Sequence, residues 1–220
     1  MDDESYYSLK MSVNYKSKCS LKYINPHGYL ITIYGPMFAS KTDYLLMLLG
    51  IRMGIKQKIL IINNIIDDRP DINSSGILSS HRDSPGKVKD AKQISTSHLA
   101  NIPISLIESH DVIGIDEAQF FDDITLVFEW LKLGKTVITA GLMFTSECKP
   151  FGKYYLLLSH ADETIPLTAV CLKCKEDMES HGVSGITQPA NMSKCLKIKT
   201  DDVMVSSDEY IPVCRYHYYN

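Results

Sequence analysis

The chain has 220 residues, a formal net charge of −3 and a hydrophobic fraction of 45%, which is the composition of an ordinary globular protein long enough to bury a core and carry a small appendage. The absence of a long basic run argues against nucleic acid or an anionic membrane surface as a partner, and no apolar stretch reaches the ~20 residues of a membrane helix. The polar N-terminus does not have the apolar centre of a secretory signal. We therefore expect a cytoplasmic protein with neither nucleic-acid nor membrane partners.

The first third of the chain shows one clear strand, helix, strand order. Residues 1–28 lack periodicity and predict a flexible N-terminal extension. The apolar run at 29–34 predicts a buried strand, residues 43–53 predict a helix that ends at Gly54, and residues 58–63 predict a second buried strand. Residues 67–86 are rich in Asp, Asn, Ser, Gly and Pro, and predict a long loop.

The same alternation continues through the middle of the chain. Residues 111–116 predict a third strand that ends in acid, 124–133 a helix stopped by Gly134, 136–140 a fourth strand, and 154–158 the start of another helix. This order predicts an α/β domain with a mainly parallel sheet and right-handed crossovers. Cysteine pairs, Gly and Pro replace the apolar runs from Cys171 onward. We therefore expect a domain at 29–165 and a small second domain at 166–220, with a boundary near Pro166.

The segment GPMFASKT at 35–42 follows the first predicted strand and precedes the first helix. It matches the phosphate-binding loop G-x-x-x-x-G-K-[ST] except that Ser40 replaces the second glycine. In such a loop the backbone N–H groups surround phosphate oxygens, Lys41 neutralises charge, and Thr42 reaches Mg²⁺. The alternative is a chance turn, against which the strand–loop–helix context argues. A serine fits at small cost if its φ is negative, and we expect a working loop.

Two carboxylates, Asp116 and Glu117, follow the third predicted strand at the edge where ligands bind in an open parallel sheet. Asp116 suits control of Mg²⁺, and Glu117 suits acceptance of a proton from a hydroxyl group. Because successive side chains of a strand point to opposite faces, we expect the two carboxylates to serve different partners. A solvated acidic loop is the alternative, which the phosphate-loop motif upstream disfavours.

Cys171 and Cys174 form one x₂-spaced pair, and Cys214 and His217 form another. Three thiolates and one imidazole suit a closed tetrahedral Zn²⁺ site of the structural kind. In an intracellular protein of this length, paired cysteines hold a metal more often than they form disulfides. The alternative is a set of unrelated thiols near a surface histidine. The other thiols, Cys19, Cys148 and Cys195, show no pairing pattern.

With these motifs, the chain resembles the type II thymidine kinase family, the tetrameric cellular and poxviral kind. The similarity runs from Leu30 to the C-terminus, and its most specific segments are GPMFASKT, IGIDEAQFFDD (113–123), GKTVITAGL (134–142), KPFG (149–152), LTAVCLKC (167–174) and VCRYHYY (213–219). The resemblance implies phosphorylation of the 5′-hydroxyl of thymidine, or of another pyrimidine deoxynucleoside, with ATP. It also implies Mg²⁺ with ATP, a structural Zn²⁺ and a homotetramer.

The resemblance also implies a set of site residues. Glu117 corresponds to the catalytic base. The metal residues are Cys171, Cys174, Cys214 and His217 for zinc, and Thr42 and Asp116 for magnesium. The residues that contact ATP are Gly35, Pro36, Met37, Phe38, Ala39, Ser40, Lys41, Thr42, Asp67, Asp68, Arg69, Asp116, Glu117, Ala118 and Gln119. The residues around the nucleoside are Phe120, Leu142, Ser146, Phe151, Asp201, Asp202, Val203, Met204, Val205 and Tyr210, the last on a loop that folds over the base.

Two segments depart from the family pattern. Where the family usually reads L-D-G-T-F-Q-R-K-P-F-G, this chain has LMFTSECKPFG at 142–152, so that Ser146 replaces an aromatic residue and Cys148 replaces an arginine. Residues 204–207 stand where the family usually has I-G-G. These departures motivate a second hypothesis, a catalytically weak nucleotide-binding relative that acts as a regulator or scaffold. A different phosphate-loop NTPase fits the loop but not the cysteine pattern.

Overall fold

The computed structural model describes residues 28–66, 88, 90–183, 185, 187–196 and 209–220. Apart from Gly28, the predicted N-terminal extension lies outside this set. The predicted long loop at 67–86 lies outside it as well, so both remain predictions.

Six strands form the central sheet: β1 (Tyr29–Tyr34), β2 (Ile59–Asn64), β3 (Lys92–Thr96), β4 (Val112–Ile115), β5 (Thr136–Gly141) and β6 (Glu163–Pro166). Their order is β3-β2-β4-β5-β1-β6, and each pairing between these described strands is parallel. Strands β2, β4 and β5 are buried along their whole length. Burial on both faces explains why they appear in the sequence as continuous apolar runs. The predicted α/β fold with a mainly parallel sheet is confirmed.

The helices among the described residues are short, apart from the first. They are α1 (Lys41–Gly54), α2 (Ile104–Glu108), α3 (Val127–Lys132), α4 (Tyr155–Leu158), α5 (Leu172–Ser180) and α6 (Arg215–Tyr219). Helix α1 begins two residues before the predicted start. The helix predicted at 124–133 is a 3₁₀ turn, Ile124–Leu126, followed directly by α3. Gly134, whose φ is +73°, follows this helix and allows the chain to turn back into β5.

Both faces of the sheet are covered by apolar side chains. In β1, Leu30 belongs to one buried cluster, whereas Ile31 and Ile33 belong to the other, as expected for a strand whose side chains alternate between faces. Helix α1 covers the second face. Gly114 of β4 faces this helix, and a Cβ atom there would stand 2.6 Å from Leu49 Cδ1. The glycine therefore lets α1 lie close against the centre of the sheet.

The chain after β6 forms two small antiparallel sheets that lie against the loop between β1 and α1. Strand β7 (Ala169–Val170) pairs with β8 (Pro189–Ala190), and β9 (Met192–Cys195) pairs with β10 (Tyr210–Val213). Their buried cluster consists of Ala169, Cys171, Ala190 and Val213 together with Ala39 of the loop. Within the described residues, none of the helices has the length and apolarity needed to cross a membrane.

Candidate active site and metal centre

The loop 35–42 leaves the carboxyl end of β1 and turns directly into α1. Gly35 has no room for a side chain, because a Cβ atom there would stand 2.4 Å from the carbonyl oxygen of Leu167. The Lys41 ammonium donates a hydrogen bond of 2.8 Å to the carbonyl oxygen of Pro36, and so it lies across the loop. The first N–H groups of a helix have no partner within the helix and carry partial positive charge, so this arrangement suits an anionic group.

Ser40 adopts the left-handed conformation, with φ 55° and ψ 35°, immediately before α1. The condition for a serine to fit here at small cost, a negative φ, is therefore not met. The left-handed region costs a residue with a Cβ atom about 1–2 kcal/mol relative to right-handed geometry. Ser40 thus has a backbone conformation that glycine would adopt freely, and the loop bears the strain of a serine there.

The Thr42 hydroxyl donates to the carboxylate of Asp116, with oxygen–oxygen distances of 3.0 and 3.3 Å. Asp116 is only 1% exposed, and its N–H donates to the carbonyl oxygen of Ile62 in β2 at 3.0 Å. A hydroxyl and a carboxylate are hard oxygen ligands of the kind that Mg²⁺ prefers beside phosphate groups. The two residues therefore fit a magnesium ion.

Glu117 begins a 3₁₀ turn, Ala118–Phe120, with φ 48° and ψ 43°. Since β4 ends at Ile115, strand alternation does not govern the direction of the Glu117 side chain. The prediction that strand alternation directs Asp116 and Glu117 to opposite faces is therefore wrong. The turn sets the geometry of the two carboxylates instead. Left-handed conformations at residues other than glycine are costly and cluster at functional sites. The half-buried carboxylate accepts a 2.6 Å hydrogen bond from Gln119 Nε2.

Three of the residues predicted to wall the nucleoside pocket lie near this turn. The Phe120 and Phe151 rings meet edge to face, with centroids 5.4 Å apart, and the N–H of Leu142 donates to Gln119 Oε1 at 2.9 Å. The carbonyl oxygen of Ser146 accepts a 2.6 Å hydrogen bond from the Tyr218 hydroxyl of α6. Tyr210 lies at the start of β10. The remaining predicted residues, Asp67, Asp68, Arg69 and Asp201 to Val205, lie outside the described part of the chain.

Two polar side chains at this end of the sheet belong to none of the sequence motifs. Asn63 is 3% exposed, and the register of Ile62 with Ile115 puts it beside Asp116. Its Oδ1 atom has no hydrogen-bond partner among the described residues. Ser193 of β9 accepts a hydrogen bond of 2.9 Å from the N–H of Met37 in the loop. An asparagine that ends a buried strand was a usable signal, whereas nothing local marks Ser193.

Cys171, Cys174, Cys214 and His217 come together at the start of α5 and α6, and their ligand atoms lie within 4.8 Å of one another. The sulfurs of Cys174 and Cys214 are 3.7 Å apart, and His217 Nδ1 lies 3.4 to 3.6 Å from the three sulfurs. Zinc–sulfur bonds of about 2.3 Å and a zinc–nitrogen bond of about 2.0 Å give tetrahedral edges of roughly 3.5–3.8 Å. The cluster therefore fits a tetrahedral zinc ion.

The surroundings of the cluster also suit a metal. His217 Nε2 lies 2.9 Å from a carboxylate oxygen of Asp177, which directs Nδ1 toward the thiols, as carboxylates do behind metal-bound histidines. Burial raises the pKa of the Cys171 thiol, but hydrogen bonds from the Cys174 and Cys214 backbone and from His217 outweigh it and lower the pKa to about 7. Burial and the neighbouring sulfurs raise the pKa of Cys174 to about 12. All three thiols could be deprotonated at these distances only with a cation among them, so metal binding would be coupled to proton release.

Comparison with known proteins identifies the family. A family model described as thymidine kinase matches residues 28–218, which include the loop, the acidic pair and the metal cluster. The chain belongs to the thymidine kinase family. This family member is similar to the thymidine kinase of Fowlpox virus (strain NVSL), with 34% identity over 191 residues, or 86% of this chain and 95% of that protein. The predicted family is confirmed, and the chain is a nucleoside kinase.

A search among solved structures finds a weak likeness to the crystal structure of flagellar accessory protein FlaH from Methanocaldococcus jannaschii. The TM-score is 0.42 at 15% identity, over 66% of this kinase and 73% of that chain. A likeness at this level says nothing about the function of the kinase.

Replacement of Ser40 by glycine is expected to stabilise the kinase. Glycine would relieve about 1–2 kcal/mol of left-handed strain but add about 0.4–1 kcal/mol of unfolded-chain entropy, so Ser40→Gly should raise the free energy of unfolding by about 0.5–1 kcal/mol. Ser40→Ala keeps the Cβ atom and removes only the hydroxyl group, and should change the free energy much less. Urea unfolding of the parent and both variants measures the difference. A Ser40→Gly protein less stable than the Ser40→Ala protein would show that the backbone at Ser40 is not strained.

Proposed function

We propose that this kinase transfers the γ-phosphoryl group of ATP to the 5′-hydroxyl of thymidine or of another pyrimidine deoxynucleoside. The observation that carries the proposal is the juxtaposition of three groups at the carboxyl edge of the sheet. The loop 35–42, with its lysine across it, leads into α1, Thr42 at the start of α1 contacts Asp116, and Glu117 follows Asp116 directly. Phosphoryl transfer needs a cradle for phosphate, a metal site and a proton acceptor, and we propose these groups for the three roles.

The loop would bind the triphosphate through its backbone. Its N–H groups and the N-terminus of α1 would face the phosphates, and the Lys41 ammonium would exchange the Pro36 carbonyl oxygen for phosphate oxygens. Thr42 and Asp116 would hold Mg²⁺, which supplies neutralisation of the charge that develops on the β- and γ-phosphate oxygens. Ala118, Asp67, Asp68 and Arg69 remain proposed ATP contacts on the resemblance alone.

Glu117 would act as the general base. Its carboxylate would take the proton of the 5′-hydroxyl as the nucleoside oxygen bonds to the γ-phosphorus, while the bond between that phosphorus and the bridging oxygen breaks and ADP leaves. Beyond accepting this proton, the protein would contribute little covalent chemistry. The rate would come mainly from holding the hydroxyl, the phosphorus and the leaving oxygen in line.

The nucleoside base would lie against the apolar side chains beside Glu117. The edge-to-face pair of Phe120 and Phe151 supports this pocket, and so does Leu142. Ser146, where the family usually has an aromatic residue, leaves the pocket less enclosed by aromatic rings. Tyr210 and the segment from Asp201 to Val205 are proposed to cover the base, on the resemblance. We infer that the base preference of this kinase differs from that of relatives that keep the aromatic residue.

We further propose that the Cys/His cluster holds a structural Zn²⁺. Four protein ligands leave no open position, which is typical of structural and not of catalytic zinc sites. The ion would order the C-terminal domain at 166–220, beyond a kinase domain at 29–165 and an N-terminal extension at 1–28.

We also propose a cytoplasmic homotetramer, on the family resemblance. Met47 and Ile51 of helix α1 and Ile55 directly after it form an exposed apolar row that a second copy could cover, with exposed fractions of 45%, 59% and 63%. Light scattering of the purified protein measures the assembly, and a monomer at working concentration would contradict this part of the proposal.

A regulator or scaffold that binds nucleotide with little turnover is the second candidate. It is favoured by the strained Ser40 and by the altered pocket segment at 142–152, both of which lie at the site itself. Its distinguishing property is tight binding of ATP without transfer to any nucleoside.

A panel of nucleosides with radiolabelled ATP tests the two candidates directly. We expect label to transfer to thymidine or a related pyrimidine deoxynucleoside, and we expect Lys41→Ala to abolish the transfer because the phosphate charge is no longer neutralised. Binding of ATP without transfer would support the regulator. Phosphate release in the absence of any nucleoside would instead indicate an NTPase. Near-normal turnover by Lys41→Ala would show that the loop assignment is wrong.

The two carboxylates should fail in different ways. Glu117→Gln keeps the shape but loses the basicity, so kcat should fall by the ~10²–10⁴-fold typical of a general base while KM changes little. Asp116→Asn removes a charged ligand and should raise the Mg²⁺ concentration needed for half-maximal rate. Steady-state kinetics over a Mg²⁺ titration separates the two effects. A Glu117→Gln enzyme as fast as the parent would leave the base unidentified.

The zinc proposal predicts about one Zn²⁺ per chain after purification, with metal loss coupled to unfolding of the C-terminal domain. Cys174→Ser should lose the metal and lower the melting temperature. Cys148→Ser and Cys195→Ser change thiols outside the cluster and should retain it. Elemental analysis and thermal unfolding of the three variants check these outcomes. A metal-free parent protein with an ordered C-terminal domain and full activity would overturn the proposal.

A further inference from the structure

Gln119 joins the proposed base to the nucleoside side of the site. Its side chain is 2% exposed and makes two hydrogen bonds. Nε2 donates to the Glu117 carboxylate at 2.6 Å, and Oε1 accepts from the N–H of Leu142 at 2.9 Å. Both ends of the amide therefore engage protein groups, and its burial leaves little of its surface for a nucleotide.

The direction of this amide follows from its partners. A backbone N–H can only donate, so the atom that faces Leu142 must be the oxygen of the Gln119 amide. The NH₂ group then faces Glu117, whose ionised carboxylate can only accept. The reversed amide would set two donors together at Leu142 and two acceptors together at Glu117. The network thus determines which end of Gln119 meets the carboxylate.

The surrounding backbone is built closely around this residue. A Cβ atom at Gly141 would stand 2.7 Å from Gln119 Oε1, and one at Gly152 would stand 2.4 Å from the Gln119 carbonyl oxygen. Gly152 also has a φ of +55°, which disfavours any side chain. Gly141 and Gly152 therefore allow Gln119, in the turn, to lie buried against the end of β5 and the segment that follows it.

The Glu117 carboxylate stands on a left-handed backbone at the end of a strand. Such a conformation persists only where surrounding contacts hold it. The bond from Gln119 reaches the charged end of the side chain, where a hydrogen bond is strongest and most directional.

We propose that Gln119 is a positioning residue that holds the Glu117 carboxylate in place against the 5′-hydroxyl. This inference rests on the proposed function, in which Glu117 is the base, and it gives Gln119 a different task from the ATP contact that the resemblance implies. Leu142 belongs to the proposed nucleoside pocket, so the Gln119 amide also links the Glu117 carboxylate to the wall of that pocket.

Two substitutions at this position separate the contributions of the amide. Gln119→Met keeps the length of the side chain and removes both hydrogen bonds. Gln119→Glu keeps an acceptor for the Leu142 N–H but has no donor for Glu117. Gln93→Met, in the edge strand β3, controls for loss of a glutamine amide elsewhere. Thermal unfolding of each variant shows whether it is folded before its kinetics are compared.

We expect Gln119→Met and Gln119→Glu to lower kcat by about 10- to 100-fold, as small misplacements of a catalytic group do. The dissociation constant for ATP should change by less than about twofold, because the lost bonds are to Glu117 and Leu142 and not to nucleotide. In the Glu117→Gln background, Gln119→Met should cause little further loss, since a residue that acts only through Glu117 has nothing left to position.

Three outcomes would overturn the inference. One is weaker ATP binding with kcat preserved, which would support the ATP contact of Gln119 that the resemblance implies. Another is a full loss of rate on top of Glu117→Gln, which would indicate a general structural effect. The third is a Gln119→Glu enzyme at the parent rate.

Crystal structures of the parent and Gln119→Met test the positioning without any assay. The Glu117 carboxylate should be ordered beside Gln119 in the parent and displaced or in several conformers in the variant. An unmoved carboxylate would overturn the inference. If the parent transfers phosphate to no nucleoside, the proposed function fails, and this comparison still decides whether Gln119 holds Glu117.

Discussion

The contact between the Thr42 hydroxyl and the Asp116 carboxylate is the interaction on which the arrangement of the site depends. It joins the first turn of α1 to the end of β4, two points separated by 74 positions in the chain. Positive φ occurs on both sides of this contact, at Ser40 with 55° and at Glu117 with 48°. The backbone is therefore strained two residues before Thr42 and directly after Asp116, on either side of their contact.

The C-terminal segment supports the loop 35–42 from a second direction. Ala39 is buried with Cys171 and Val213, and the N–H of Met37 donates to Ser193. The metal cluster begins at Cys171 itself. An ion there would therefore stabilise the packing surface on which the loop rests, and the loop and the metal centre form one continuous structure although distant motifs encode them.

Much of the fold follows from local patterns that tertiary contacts do not override. Strands β2, β4 and β5 lie under helices on both faces, so every position favours an apolar residue, and the runs are recognisable without a structure. The edge strands were missed for the opposite reason. Strands β3 and β6, with sequences KQIST and ETIP, are half-exposed, so their pairing comes from the neighbouring strand and not from their own composition.

The sequence by itself determined the α/β class, and it predicted a phosphate-binding loop, an acidic pair and four metal ligands, because each depends on residue types at short spacing. Only the tertiary structure decided the sign of φ at Ser40, the partners of Gln119 and the bond between Met37 and Ser193, whose residues stand 156 positions apart. A hydrogen bond between distant segments leaves no periodicity in the chain. It forms because packing of the sheet and its covering elements brings the donor and the acceptor together out of water, where an unmade bond would cost about 1–3 kcal/mol.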